Sequence, residues 1–262
     1  MTLSLIITTY NWPEALDSVL ASVLQQSRLP DEIIVADDGS GDATRNLIAA
    51  WQRKSPIPLV HSWQQDLGFR LSESRNKAIN LARGDYIVMI DGDLSLHKHF
   101  IKDHLQAATP GFFISGKRVR MTEKLSKAVM SQQSRPRWFS QGLYRGRCAA
   151  IRFPWLSRQL AMTKTESVDS IHGCNMSFWR EDALKVNGFN IAFEGWGPED
   201  KEFAARLIHS GVKRKVLKFA GIAFHLYHPE SSKAMLEKNI QLFDRCLCER
   251  QRRCEFGLAQ SL

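Results

Sequence analysis

The 262-residue sequence predicts an α/β protein built on a mixed, mostly parallel sheet flanked by helices. Three observations carry that expectation. Short apolar runs alternate with stretches of helical periodicity over the first 120 residues. Those runs are nearly continuous in apolar residues, as in strands buried on both faces. Polar clusters fall at their carboxyl ends, where ligands sit in open α/β sheets.

Taken in order, Leu3–Thr9 reads as the first strand. Asn11 and Glu14 have the spacing of an N-cap and its N3 partner, with Pro13 in the first turn. Leu16, Val19, Leu20, Val23 and Leu24 then fall on one helical face. Pro30 closes that connection and Glu32–Asp37 is the second strand. Asp42 is placed to cap a helix whose apolar face holds Leu47, Ile48 and Trp51. Leu59–Trp63 is the third strand, and Ser72 opens a helix that runs to Ala82, with Gly84 just past its end. Residues 85–91, apolar at their centre, are the fourth strand.

Beyond residues 112–120 the alternation fails, and residues 121–170 read as loops, short helices and mobile chain. Order returns at residues 171–179, followed by a short helix from Glu181 that stops at Gly188. A helix opening within residues 193–200 runs through Ile208, residues 216–227 suggest one or two strands, and the tail from Ser231 reads as a charged helix.

Hydrophobic residues make up 44% and charged residues 24%, which excludes disordered, collagen-like and disulfide-stapled chains. No apolar run approaches the ~20 residues of a membrane-spanning helix. The start lacks the pattern of a signal peptide. Five cysteines, three of them in the last 17 residues, lack the spacing of a zinc site and suit free thiols in a reducing compartment. The expected location is cytoplasmic, with peripheral attachment at the inner membrane face left open. Net charge is +9, but residues 117–164 hold twelve Lys/Arg against Glu123 alone, and the remainder has 24 basic against 26 acidic residues. So uneven a distribution concentrates anionic partners. Nucleic acid, an anionic lipid surface and a phosphorylated substrate all fit at this level, although none of the common nucleic-acid motifs is present.

Asp91-Gly92-Asp93 ends the fourth strand, and two carboxylates around a glycine suit a hard divalent cation such as Mg²⁺ or Mn²⁺. Asp37-Asp38-Gly39-Ser40 ends the second strand, offering a carboxylate to a base N–H, with Tyr10 after the first strand able to stack. His97, His99 and His104 read as exposed.

Thr8-Thr-Tyr-Asn11, Ala36-Asp-Asp-Gly-Ser40, Ser74-Arg-Asn-Lys-Ala78, Gly84-Asp-Tyr86 and Asp91-Gly-Asp93 together resemble the nucleotide-sugar half of a family 2 glycosyltransferase with the GT-A fold. Gly195-Trp-Gly-Pro-Glu-Asp200, with His225-Leu-Tyr-His228 downstream, is similar to a galactosyltransferase-like C-terminal region. The resemblance implies a nucleotide-sugar half over residues 1–120 and an acceptor and catalytic half over 171–230; charge and pattern mark a basic insertion over 121–170 and a helical tail over 231–262. It implies that Tyr10 stacks on uracil beside Thr8, Asp38 binds the uracil N–H, Arg75 helps hold the nucleotide and Asp91 lies near the ribose. Asp93 would bind Mn²⁺ or Mg²⁺ with His225, or alternatively His228. Asp200 would be the catalytic base, Glu199 an acceptor-binding partner and Trp196 an acceptor platform. The expected activity is inverting transfer of a hexose or N-acetylhexosamine from a UDP-sugar, forming a β-linkage. The expected acceptor is a glycan, lipid-linked or phosphorylated, in bacterial lipopolysaccharide or capsular polysaccharide synthesis. The competing classes are a nucleic-acid-binding protein and a sugar-phosphate nucleotidyltransferase. Thr-Thr-Tyr-Asn-Trp-Pro stands where a nucleotidyltransferase carries a Gly-rich basic loop.

Overall fold

A computed structural model describes residues 1–161, 164–165, 167–229 and 232–261. Residues 162, 163 and 166 of the basic segment and the expected tail start at Ser231 lie outside the described residues.

The first half follows the predicted alternation: β1 (Leu3–Thr9), α1 (Pro13–Val23), β2 (Glu32–Asp37), α2 (Asp42–Lys54), β3 (Leu59–Trp63), α3 (Leu71–Leu81) and β4 (Tyr86–Asp91). Then come β5 (Leu94–Leu96), α4 (Phe100–Ala107), β6 (Phe112–Ser115), β7 (Arg118–Met121), α5 (Glu123–Met130) and β8 (Leu143–Arg145). The chain continues through α6 (Pro154–Ala161), β9 (Lys164–Thr165), β10 (Asn175–Trp179) and α7 (Arg180–Lys185). It closes with α8 (Glu199–His209), β11 (Lys213–Val216), β12 (Ala223–His225) and α9 (Leu236–Cys248).

The main sheet has the order β3-β2-β1-β4-β10-β6-β11-β9. Its first four strands are parallel, β10 runs antiparallel between β4 and β6, and β11 lies parallel to β6. The carboxyl ends of β1, β2, β4, β6 and β11 therefore share one rim, and β10 begins there. The parallel strands bury both faces, as their continuous apolar runs require. One core lies toward α1 and α2, holding Leu16, Val19, Ile48 and Trp51 with Leu5 and Val88. The other holds Ile79 of α3 and Phe203 of α8 with Ile6 and Met89. A smaller sheet, β5-β12-β7-β8, crosses the same end of the molecule.

Several local expectations need correction. Asn11 does not cap α1: Trp12 occupies the cap position with no side-chain capping bond. Asn11 instead adopts φ +46°, and its Oδ1 accepts from Gly41 N at 2.9 Å, so its side chain is spent joining the β1 and β2 ends. Gly41, not Asp42, precedes α2, and Arg70, not Ser72, precedes α3. His104 is fully buried rather than exposed, with Nδ1 on Ser177 Oγ at 2.8 Å and Nε2 on Asn175 Oδ1 at 3.0 Å. Burial pushes its pKa down to about 4, so the ring stays neutral in the core. His97 and His99 are half-buried.

Candidate active site

The base-binding end is built on β1 and β2. Asp38 is buried, and its two oxygens accept from Gln64 Nε2 at 2.6 Å and from Arg70 N at 2.9 Å. Burial is the main cause of a pKa raised to about 6. Tyr10 is exposed and donates its hydroxyl to Asp66 at 2.9 Å. Gly39 makes this approach feasible: at φ +96° its ideal Cβ would lie 2.5 Å from the Asp66 backbone.

The end of β4 carries Asp91 and, after Gly92, Asp93. Thr8 Oγ1 donates to Asp91 Oδ1 at 2.9 Å, so Thr8 orients that carboxylate. Asp93 meets both downstream histidines: its Oδ2 lies 3.3 Å from His225 Nε2 and 3.2 Å from His228 Nε2. Both candidates approach Asp93, because β12 delivers His225 and the following turn returns His228. These three are the group of potential metal ligands found among the described residues, with ligand atoms within 4.8 Å of one another. Asp93 Oδ1 is buried without a hydrogen-bond partner. An orphaned carboxylate oxygen beside two imidazoles fits a divalent cation, which takes oxygen and imidazole donors. Burial opposes ionisation of Asp93, yet the His228 bond and the nearby His225 and Arg118 charges hold its carboxyl below the ordinary range.

Arg75 of α3 joins this end to α8. Its guanidinium is only 2% exposed, between Glu199 Oε1 at 2.9 Å and Asp91 Oδ1 at 3.4 Å. That placement makes Arg75 a strut between carboxylates. Glu199 and Asp200 open α8, where the positive end of the helix dipole favours them. Asp200 accepts from Gly173 N and from Lys201 N, each at 2.7 Å. Gly173 has no room for a side chain: an ideal Cβ would stand 2.9 Å from Arg75 Nη2 and 3.2 Å from Asp200 Cβ. Burial raises the pKa of both Glu199 and Asp200, and their proximity raises Glu199 further, with Arg75 opposing. Trp196, 43% exposed, sits on the loop before α8; Gly195 N ties that loop to Phe69 O at 2.8 Å.

The structure thus links Asp93, Asp91, Thr8, Arg75, Glu199 and Asp200 along one rim, with Asp38 and Tyr10 on the β2 side. Sequence reasoning missed Arg118, whose Nη1 lies 3.2 Å from Cys174 Sγ and whose charge acts on Asp91 and Asp93. It also missed Gln64, Asp66 and His172. Alternation of Arg118 and Arg120 in β7 was the visible signal, obscured because the surrounding segment is basic throughout.

Comparisons with known proteins bear on this arrangement. The model of glycosyl transferase family 2 matches residues 4–183, about two thirds of the chain. The chain belongs to glycosyl transferase family 2. A second model, described as the N-terminal domain of galactosyltransferase, matches residues 160–229. Hyaluronan synthase of Pasteurella multocida is 27% identical over 224 residues, covering 80% of this chain and 23% of that protein. Validoxylamine A glucosyltransferase of Streptomyces hygroscopicus subsp. limoneus is 28% identical over 240 residues, covering 82% of this chain and 49% of that one. The chain spans about a quarter of the length of the first of these relatives and about half of the second. Among solved structures, S. aureus TarS 1–349 with UDP-GlcNAc superposes with TM-score 0.68 at 14% identity, over all of this chain and 69% of that one. A Pyrobaculum calidifontis mannosyltransferase, solved with GDP-Man and Mn²⁺, gives TM-score 0.59 at 19% identity, over 87% of this chain and 57% of that one. These likenesses show the GT-A fold predicted from sequence.

Proposed function

We propose that this family 2 enzyme is an inverting, metal-dependent transferase that moves a hexose or N-acetylhexosamine from a UDP-sugar to a glycan acceptor, forming a β-linkage. The observation that carries the reading is the arrangement at the β4 end: Asp93 meets His225 and His228, and Asp91, two residues before it, is joined through Arg75 to Glu199, the neighbour of Asp200. It supports a cation held by Asp93 and the histidines on the same rim as Asp200, the candidate base.

Asp93, His225 and His228 would hold Mn²⁺ or Mg²⁺, which supplies positive charge against the pyrophosphate as it departs. Tyr10 stacks on the uracil and Asp38 accepts its ring N–H. Asp200 takes the proton from the acceptor hydroxyl as that oxygen attacks the anomeric carbon. With the base facing the leaving group across the sugar, attack is in line and an α-linked donor gives a β-linked product. Glu199 and the Trp196 ring contact the acceptor, the flat ring covering an apolar sugar face. The likeness to TarS bound to UDP-GlcNAc and to a hyaluronan synthase supports a UDP-linked donor and a polysaccharide product. Lipopolysaccharide or capsular polysaccharide synthesis is the setting we infer. The Arg- and aromatic-rich stretch would hold the enzyme at an anionic membrane face on the cytoplasmic side.

The decisive test is a screen of UDP-sugars for Mn²⁺-dependent transfer or hydrolysis, paired with calorimetry of UDP binding. Asp93→Ala is expected to abolish the Mn²⁺-dependent part of UDP binding. Equal binding by the variant with and without Mn²⁺, matching the wild type, would overturn the metal assignment.

A further inference from the structure

Arg118, Arg120, His172 and Lys201 crowd the rim beside Asp200, and among the described residues none forms an ion pair with a carboxylate. All four are half-buried. The path of the chain forces them together. Arg118 and Arg120 alternate along β7 and so share a face, and β12 sets His225 opposite Arg120 in register. His172 immediately precedes Gly173, whose amide holds Asp200, and Lys201 immediately follows Asp200. Arg118 Nη1 lies 3.2 Å from Cys174 Sγ, two residues after His172, which brings β7 to this turn. Burial, then the charges of Arg118, Lys201, Arg120 and Arg214, push His172 down to about 4, so its ring is neutral. The carboxylates facing the group are Asp91 and Asp93 toward Arg118, Asp169 toward Arg214, and Asp200 itself.

Beside the cluster lies a depression of about 240 Å³ at the ends of β6 and β11, whose lining includes Lys117, Arg214, Lys218 and Asp169. Arg214 is tied down by Ser115 Oγ and the Ser167 and Asp169 carbonyls, so it contributes its field rather than a free donor fork. The nucleoside end is built on β2 and β1, and the Asp93 carboxylate follows β4. His172 and Lys201 flank the Asp200 contact with Gly173, before β10 and in the first turn of α8, away from the nucleoside end. Arg118 and Arg120 lie on β7 of the smaller sheet, where β12 sets His225 opposite Arg120, so the group bridges the Asp93 and Asp200 sides of the rim. Arg118, Arg120 and Lys201 are the charged members of the group, around a neutral His172. A phosphate, with up to two charges and three acceptor oxygens, matches guanidinium forks and an ammonium.

We propose that Arg118, Arg120, His172 and Lys201 form an acceptor subsite that binds a phosphate group carried by the acceptor near its attacking hydroxyl. This deepens the transferase reading and rests on it, because Asp200 as the base is what makes this side the acceptor side. The enzyme therefore selects a phosphorylated glycan or a lipid-diphosphate-linked sugar over a neutral one.

The test titrates the protein with inorganic phosphate in the presence of UDP and Mg²⁺, following the His172 ring signals by NMR. A His172→Gln variant assigns those signals. Phosphate is expected to shift the His172 signals with UDP in place. Arg120→Ala and Lys201→Ala are each expected to weaken phosphate binding about tenfold, the size of one lost charge-assisted hydrogen bond. Both variants should bind UDP as the wild type does, which also shows that they fold. Displacement of phosphate by UDP would assign the cluster to the donor diphosphate and overturn the proposal, as would unchanged phosphate affinity in both variants. Failure of the wild type to bind UDP would instead sink the donor reading, and phosphate binding without UDP would still be scored.

Discussion

Asp38 and Asp200 are both carboxylates at strand or helix ends, and burial raises the pKa of each. For Asp38 the folded pKa of about 6 lies above the unfolded value near 4. Its burial thus costs stability as pH rises from about 4 to 6, and a bound uracil N–H would offset that cost. Uridine, which needs no cation, isolates the effect: its affinity should fall as pH drops below 6, and the fall should be absent in Asp38→Asn. A flat wild-type profile between pH 5 and 7 would remove Asp38 from the uracil site. Asp200 is raised by burial, which places its ionisation closer to neutrality, where a general base is most effective. Asp200→Asn should retain UDP binding while turnover falls at least ~100-fold. Normal turnover would move the base elsewhere. Both positions were legible because their motifs are local; the Thr8 bond to Asp91 was not, because it joins residues 83 positions apart.

At the scale of elements, Arg75 is the joint between α3, β4 and α8. Removing it leaves Glu199 and Asp91 facing each other at the rim without their shared cation. A broken buried pair costs about 3–5 kcal/mol. Arg75→Met should therefore lower Tm by several degrees at pH 8, because ~1 kcal/mol moves a chain of this size by about 2–4 °C. The sign of the pH effect follows from Glu199, whose folded pKa is raised by burial and by Asp200. At pH 5 Glu199 binds a proton, one charge disappears, and the variant should lose less. An equal Tm loss at both pH values would show that Arg75 acts through packing on Phe189, whose ring centroid is 5.1 Å from its guanidinium carbon, rather than through charge. The resemblance marks Arg75 as helping to hold the nucleotide; the motif gives its identity but not its partners within the chain. Asp91 lies 16 residues on, in β4, and Glu199 comes from α8, 124 residues downstream.

For the whole molecule, legibility tracks how far each strand's partner lies along the chain. β1 to β4 are parallel neighbours joined by single helices, and their apolar runs announce them. β5, β7, β8 and β12 are three or four residues long and pair across up to about 130 positions, so no local period reveals the second sheet. The basic stretch read as loops and short helices because its order comes from distant packing: β8 pairs with β7, α5 packs on the smaller sheet, and α6 packs on α4 and on β11 of the main sheet. It leaves Trp138, Phe139, Tyr144, Phe153 and Trp155 each more than half exposed, interleaved with Arg135, Arg137, Arg145 and Arg158. Aromatic rings among arginines suit the headgroup level of an anionic bilayer, and no helix among the described residues is long and apolar enough to cross one. Each cation near such a surface is worth about 1 kcal/mol, so replacing Arg135, Arg137 and Arg145 with Gln should weaken binding to phosphatidylglycerol vesicles by roughly a hundredfold at low salt. Trp138→Ala with Trp155→Ala should weaken it further without altering its salt dependence, because rings contribute buried area and arginines contribute charge. Co-sedimentation measures both. Equal binding to phosphatidylcholine and phosphatidylglycerol vesicles would show that charge is not what brings this surface to lipid, and the excess of cations would then belong to the acceptor alone.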